Sequence, residues 1–154
     1  MTDQKIIILY VDDEENNLIS FKANFRFKYK IFTALSGEEA LKIMEKQPIN
    51  VIITDQRMPH MTGVEFLEQV ITKFPDPVRI LLTGYTDMSA VIDAVNKGKI
   101  FHYHTKPWNE QELEKTIIRA FETYSNKKEI EEMNQKLEVS NDQLEFLLRQ
   151  KLLS

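Results

Sequence analysis

Acidic, hydroxyl and ammonium side chains follow short apolar segments at four separate places in this sequence. Asp12 and Asp13 come directly after the run Ile-Ile-Ile-Leu-Tyr-Val, and Asp55 ends the run Val-Ile-Ile-Thr. Thr83 and Lys106 follow two later segments of the same kind. A carboxylate nucleophile, acids that hold a cation, a hydrogen-bond donor and a positive charge are the groups that phosphoryl transfer to an aspartate requires.

Each of these side chains has a separate task in such a reaction. Asp55 is the predicted nucleophile, which accepts the phosphoryl group. Crowded carboxylates at positions 12, 13 and 55 repel one another and favour a hard dication, for which Mg²⁺ is suited because it takes few carboxylates and keeps several waters. Lys106 supplies a compact positive charge to a phosphoryl oxygen, and the Thr83 hydroxyl can donate a hydrogen bond to the same group. Pro107 would fix the turn that aims Lys106, and a cis peptide bond is one way to do so.

Strands and helices that could bring these residues together alternate along the chain. Apolar segments predict five strands at about residues 6–11, 30–34, 51–55, 78–82 and 100–105. Amphipathic segments predict helices at about residues 15–27, from Ser36 to Pro48, from Gly63 to Pro75, from Asp87 to Asn96 and from Asn109 through Tyr124. Such alternation predicts an α/β fold with a parallel sheet, whose strand carboxyl ends lie along one edge where ligands bind.

The composition limits the class of protein. A chain of 154 residues with 42% hydrophobic residues is about one globular domain, and its net charge of −4 argues against a nucleic-acid-binding surface. Cysteine is absent, which excludes disulfides and thiolate metal sites. No apolar stretch is long enough to span a bilayer, and the charged N-terminus does not fit a signal peptide. We therefore expect a soluble, cytoplasmic protein.

Residues beyond about position 125 differ in composition, because charged residues dominate there and glycine and proline are absent. An apolar stripe with three-four spacing runs for about three heptads. It consists of Ile130, Met133, Leu137, Leu144 and Leu147, with Ser140 in one expected apolar position. We expect a domain at 1–124 and a helical extension at 125–154, which is either a coiled coil or a linker to an effector.

The motifs together resemble the receiver domain of bacterial two-component response regulators. The resemblance covers about residues 4–124 and rests on Asp12-Asp13, Asp55 with Met58-Pro59 and Gly63, Thr83, Tyr103 and Lys106-Pro107. It implies a flavodoxin-like (βα)₅ doubly wound sheet with strand order 2-1-3-4-5. It also implies that a sensor histidine kinase or phosphotransfer protein phosphorylates Asp55.

The same resemblance implies roles for individual residues. Mg²⁺ would be bound by Asp13, Asp55 and the backbone carbonyl of Arg57, with Asp12 assisting. Thr83 and Tyr103 match the family's switch pair, in which the hydroxyl moves towards the phosphoryl group and the ring turns inward. Apart from the resemblance, the helical tail suggests two routes for the output: the chain is the front part of a longer protein, or the C-terminal helix is itself the output. A homodimer would form through the tail or through the surface of the fourth helix, fifth strand and fifth helix.

Two other functions fit parts of the pattern. A phosphatase with an aspartate nucleophile, of the haloacid dehalogenase type, would need Asp-x-Asp after the first strand, whereas this chain has adjacent Asp12 and Asp13. A pseudo-receiver that is never phosphorylated would not need the complete set of acids and lysine. Any enzymatic activity of a receiver would be limited to its own phosphorylation and dephosphorylation. His102 and His104 share a strand face, but no third metal ligand is evident, so a hydrogen-bonded structural His104 is the better interpretation.

Overall fold

The computed structural model describes residues 5–84 and 88–153, which form a five-stranded parallel sheet covered by helices. The strands are β1 (Ile7–Val11), β2 (Lys30–Ala34), β3 (Val51–Asp55), β4 (Val78–Thr83) and β5 (His102–Thr105). The helices are α1 (Glu15–Phe25), α2 (Gly37–Lys46), α3 (Gly63–Lys73), α4 (Met88–Asn96) and α5 (Glu110–Leu153). The strand order is β2-β1-β3-β4-β5, which confirms the predicted flavodoxin-like fold with a C-terminal helix.

Some element boundaries differ from those predicted. α1 ends at Phe25 and is followed by a turn, in which the amides of Lys28 and Tyr29 both donate to the Phe25 carbonyl. β5 begins at His102, two residues later than predicted, and in the segment before it the Lys99 amide donates to the Ala94 carbonyl at the end of α4. The predicted start of the fourth helix, Asp87, lies outside the described residues.

Strand alternation divides the core into two layers. Even-numbered residues of β1 face α1 and α5, in a cluster that contains Tyr10, Phe21 and Ile117. Odd-numbered residues of β1 face α2, α3 and α4 in a second cluster. β3 is buried along its whole length, as expected for the central strand of a parallel sheet with helices on both faces.

Side-chain caps fix where three helices begin. The Ser36 hydroxyl accepts a hydrogen bond from the Glu39 amide at 3.1 Å, but the Glu39 carboxylate reaches back to the Leu35 amide instead of closing a reciprocal box. α3 carries a complete capping box between Thr62 and Glu65, which the sequence reading missed. The Asn109 side chain accepts from the Glu112 amide at 3.0 Å.

The chain divides into two compact units between Tyr124 and Ser125. The second unit is the part of α5 after Tyr124, and its apolar side chains are exposed; Ile130 is 58% and Leu147 is 62% accessible. Across residues 5–84 and 88–153, the structure contains no helix with the length and apolar character needed to span a bilayer.

Candidate functional site

Three carboxylates meet where β1 and β3 end. These strands are neighbours, and Val11 pairs with Thr54, so Asp12 follows β1 at the level where Asp55 ends β3. Asp12, Asp13 and Asp55 each place one oxygen within 4.8 Å of the other two. Asp12 and Asp55 are buried, whereas Asp13 is exposed. A compact, all-oxygen donor set with one solvent-facing member fits a hard dication such as Mg²⁺, which retains part of its water shell.

Lys106 connects two of these acids. Its Nζ lies 2.8 Å from Oδ2 of Asp12 and 3.1 Å from Oδ1 of Asp55. The backbone brings it there: the Lys106 amide donates to the Thr83 carbonyl at 3.0 Å, and the Lys106–Pro107 peptide bond is cis. One ammonium group is therefore shared between two buried carboxylates.

The surroundings shift the acid–base behaviour of this pair. Burial raises the pKa of Asp55 to about 6, the Asp12 charge adds to the increase, and the Lys106 charge opposes it. For Lys106, burial lowers the pKa, but the hydrogen bond and charge of Asp12 and the charge of Asp55 outweigh it, so the pKa lies above its ordinary value. At neutral pH Lys106 is charged and Asp55 is mostly ionised, which is the state a nucleophilic carboxylate needs.

Asp12 is held by groups that the sequence reading did not identify. Its Oδ2 accepts hydrogen bonds from the Tyr10 hydroxyl at 2.9 Å and from Nδ2 of Asn17 at 3.1 Å. Its Oδ1 accepts from the Glu14 amide at 3.0 Å. Tyr10 could have been found from the pattern, because a residue two positions before Asp12 on a strand points to the same face. Asn17 lies in the first turn of α1, and this position in the sequence indicates a contact with Asp12 less clearly than that of Tyr10.

The loop after Asp55 is closed by Gln56 and Gly63. The Gly63 amide donates to the Gln56 carbonyl at 2.9 Å, and the Gln56 side chain accepts from the Val64 amide at 2.9 Å. A Cβ at position 63 would overlap the Asp55 carbonyl oxygen, so only glycine allows this close approach. Arg57 is exposed within the loop, and the role of its carbonyl as a metal ligand stays a prediction.

Along β4 and β5, Thr83 and Tyr103 alternate onto the face of the sheet that α2, α3 and α4 cover. Thr83 is buried at the end of β4, and its hydroxyl donates to the Gly84 carbonyl at 3.0 Å. Tyr103 is half-buried and packs against the cluster under α2, α3 and α4. Because Thr83 pairs with Thr105, Tyr103 lies two residues away on the same face. The two predicted switch residues are thus neighbours, and Thr83 is not directed at Asp55 by any described hydrogen bond.

His104 of β5 is hydrogen-bonded to α5. Nε2 of His104 lies 2.7 Å from the Thr116 hydroxyl, which itself donates to the Glu112 carbonyl at 3.2 Å. His104 is thus joined to α5 through the Thr116 hydroxyl. Burial lowers the pKa of both His102 and His104. Among the described residues, the acids at 12, 13 and 55 are the one group of three or more potential metal ligands, so the histidines form no such group.

Comparisons with known proteins agree with this geometry. The family profile described as "Response regulator receiver domain" matches residues 8–118. The chain is 35% identical, over its full length, to the hydrogenase transcriptional regulatory protein HoxA of Cupriavidus necator, and it spans 32% of that protein.

Solved structures show the same fold. One, titled as an adenylate cyclase from Rhodopirellula baltica, superposes with a TM-score of 0.83 at 33% identity, over 86% of this chain and 99% of that one. A response regulator receiver domain protein from Clostridium thermocellum gives a TM-score of 0.73 at 32% identity, over 78% of this chain and 97% of that one. The chain belongs to the response regulator receiver domain family.

Proposed function

We propose that this chain is a phospho-accepting switch in a two-component pathway, with Asp55 as the residue that carries the phosphoryl group. The observation that supports it most directly is the position of Lys106, whose ammonium group lies 3.1 Å from the Asp55 carboxylate at the edge of the sheet. A cation beside the nucleophile can pair with a phosphoryl oxygen as soon as the group arrives.

The donor is a phosphohistidine of a sensor histidine kinase or of a phosphotransfer protein. A carboxylate oxygen of Asp55 attacks phosphorus, a P–O bond forms, and the P–N bond to the donor imidazole breaks. The imidazole leaves with the bonding electron pair and takes a proton from solvent. Lys106 then moves its contact from the Asp55 carboxylate to an oxygen of the new phosphoryl group, while Asp12 is held by its other donors. Water attack on the aspartyl phosphate later restores the carboxylate and releases inorganic phosphate.

The acids fit Mg²⁺, and we assign Asp13, Asp55 and the Arg57 carbonyl as its protein ligands, with Asp12 assisting. When bound, the ion would neutralise charge on the carboxylates and on the incoming phosphoryl oxygens. This assignment is supported by the carboxylate oxygens of Asp12, Asp13 and Asp55, which lie within 4.8 Å of one another.

The signal passes from Thr83 to the surface formed by α4, β5 and α5. In this scheme the Thr83 hydroxyl leaves the Gly84 carbonyl for the phosphoryl group, and Tyr103 turns inward. Each of the two helices carries an exposed apolar side chain, Ile92 on α4 at 48% and Ile118 on α5 at 42% accessibility, which would suit a homodimer or a partner protein.

The helix after Tyr124 is the proposed output element, either as a self-associating coiled coil or as a linker to an effector. Its exposed apolar stripe, from Ile130 to Leu147, supports association with a second copy. The name of HoxA describes a transcriptional regulator. We propose that this chain likewise controls an output of that kind, through its own phosphorylation. In this chain itself we assign no nucleic-acid contact.

Labelling with a small phosphodonor tests the central step. Acetyl phosphate with MgCl₂ should add one phosphoryl group to the wild-type chain, detected by intact-protein mass spectrometry, and Asp55→Asn should abolish the addition. Asp93→Asn is the matched control, because Asp93 is an exposed acid that pairs with Lys97 on α4. Labelling that survives Asp55→Asn would contradict the assignment. A wild-type chain that takes no phosphoryl group would identify a pseudo-receiver, and rapid turnover of many phosphodonor molecules would identify a phosphatase.

A further inference from the structure

The Tyr10 hydroxyl is a buried hydrogen-bond donor beside the acid cluster. The side chain is fully buried, and its ring stacks on Phe21 with centroids 4.4 Å apart and an angle of 11° between the planes. The edge of Trp108 closes a second side, at 6.1 Å. Within this apolar enclosure the hydroxyl contacts Oδ2 of Asp12 at 2.9 Å.

The two oxygens of Asp12 are unequally occupied. Oδ2 accepts from Tyr10, Asn17 and Lys106, whereas Oδ1 accepts from the Glu14 amide alone among the residues that the structure describes. A carboxylate oxygen has about two lone-pair sites, so Oδ2 is saturated and Oδ1 retains acceptor capacity. Oδ1 is therefore the oxygen of Asp12 that a shared cation, or water bound to it, can still use.

Among the three side-chain donors to Oδ2, Tyr10 is the least able to move. Lys106 is 24% accessible and bonds a second acid, and Asn17 is only half-buried. The Tyr10 ring is fixed by packing on two sides, and its hydroxyl would become a buried unsatisfied group if Asp12 rotated away. Tyr10 is therefore the donor best placed to hold Oδ2 of Asp12 when the more mobile Lys106 side chain moves away.

We propose that Tyr10 is a positioning residue for the reaction at Asp55: its hydroxyl fixes Oδ2 of Asp12, leaves Oδ1 available to the cation, and holds Asp12 in place when Lys106 leaves for the phosphoryl group. The inference rests on the proposed phosphorylation of Asp55. Tyr10 touches neither the phosphoryl group nor the cation, and acts through Asp12. Loss of a group that orients a metal ligand typically lowers metal affinity or activity by about 10–100-fold.

The test compares Tyr10→Phe with Tyr29→Phe. Both substitutions remove one hydroxyl from the same apolar cluster and keep the ring, but the Tyr29 hydroxyl is buried with no hydrogen-bond partner among the described residues. MgCl₂ affinity is measured by calorimetry, without any phosphodonor. Tyr10→Phe should weaken Mg²⁺ binding about tenfold, the lower end of the range for such orienting groups, and Tyr29→Phe should leave it unchanged.

Phosphorylation kinetics provide the second readout. With acetyl phosphate as donor, Tyr10→Phe should raise the Mg²⁺ concentration that gives the half-maximal rate by about tenfold, the same factor as for binding. The rate at saturating Mg²⁺ should fall by a smaller factor than this. A merely structural role would lower the melting temperature of Tyr10→Phe and leave its Mg²⁺ dependence as in the wild type. Equal or tighter Mg²⁺ binding by Tyr10→Phe would overturn the proposal.

Measurements on the unsubstituted protein keep the proposal testable if Tyr10→Phe does not fold. The Tyr10 hydroxyl proton should exchange slowly in NMR spectra and remain protected after MgCl₂ is added, because Asp12 keeps Oδ2 on Tyr10. Loss of that protection on adding MgCl₂ would overturn the proposal. Wild-type protein that binds Mg²⁺ but takes no phosphoryl group would instead count against the proposed function, which separates the two failures.

Discussion

The ammonium group of Lys106 lies 2.8 Å from the carboxylate of Asp12, a residue that is completely buried. The lysine therefore has a structural duty in addition to the one proposed for it at the phosphoryl group. Lys106 contacts both Asp12 and Asp55, and the contact with Asp12 is shorter than the contact with the proposed nucleophile Asp55. Activity and stability should consequently both depend on this one side chain.

Replacing Lys106 with methionine should destabilise the fold by about 2–4 kcal/mol, because it leaves a buried carboxylate without its counter-charge. Urea unfolding at pH 7 measures the change. Lys28→Met is the control, since Lys28 forms an exposed pair with Glu114 and such pairs contribute at most about 1 kcal/mol. Equal effects of the two substitutions would show that the Asp12 contact adds nothing to stability.

The stability of the metal-free protein should depend on pH through Asp55. Its pKa is raised from 3.8 to about 6 by burial and by Asp12, so the folded state binds the proton more tightly than the unfolded state. The free energy of unfolding therefore falls as Asp55 ionises, while the pH rises from about 4 to 6. Asp55→Asn removes this penalty and should be more stable than wild type at pH 7 by about 2–3 kcal/mol.

That difference should shrink as the pH falls from 6 towards 4, because the Asp55 carboxyl of the folded wild-type protein takes up its proton over this range. Thermal unfolding in EDTA across this range measures it. A difference that is constant with pH would mean that the amide acts by packing and not by removing a charge.

Gly63→Ala should disrupt the loop after the phosphorylation site. The added Cβ would overlap the Asp55 carbonyl oxygen and press on Leu81, and overpacking of this kind costs about 1–3 kcal/mol or more. Gly84→Ala is the matched control, because a Cβ there meets no described atom within 4 Å. Melting temperature and acetyl phosphate labelling should both fall for Gly63→Ala and remain near wild type for Gly84→Ala. The reverse order would contradict the packing found here.

Phosphorylation should change self-association through the tail. We expect the dimerisation constant, measured by analytical ultracentrifugation, to differ at least several-fold with and without beryllofluoride as a phosphoryl mimic. Leu137→Lys places a charge in the exposed stripe and should weaken any dimer that uses it. Glu138→Lys, at an adjacent exposed position outside the stripe, is the control. Equal constants with and without the mimic would exclude the tail as a phosphorylation-dependent dimer contact.

The amino-acid sequence by itself determined the sheet and the convergence of its acids. Val51 to Thr54 form an apolar, β-branched run that ends in Asp55, and the run before Asp12 has the same form. Once such strands alternate with amphipathic helices, right-handed crossovers make them parallel, and their carboxyl ends meet without further information. The strand order, by contrast, came from the resemblance to a known family, and the comparison structures agree with it.

Only the tertiary structure decided how the side chains at that edge are shared. In the folded protein the Lys106 ammonium group contacts both Asp12 and Asp55. The Tyr10 hydroxyl donates a hydrogen bond to Asp12, and Gly63 lies against the Asp55 carbonyl. A periodic pattern states which face a residue occupies, but a hydrogen bond depends on a rotamer and on the distance between two elements. Those quantities are fixed when the packed layers come together, because each side chain then has to fit its neighbours as well as its own strand.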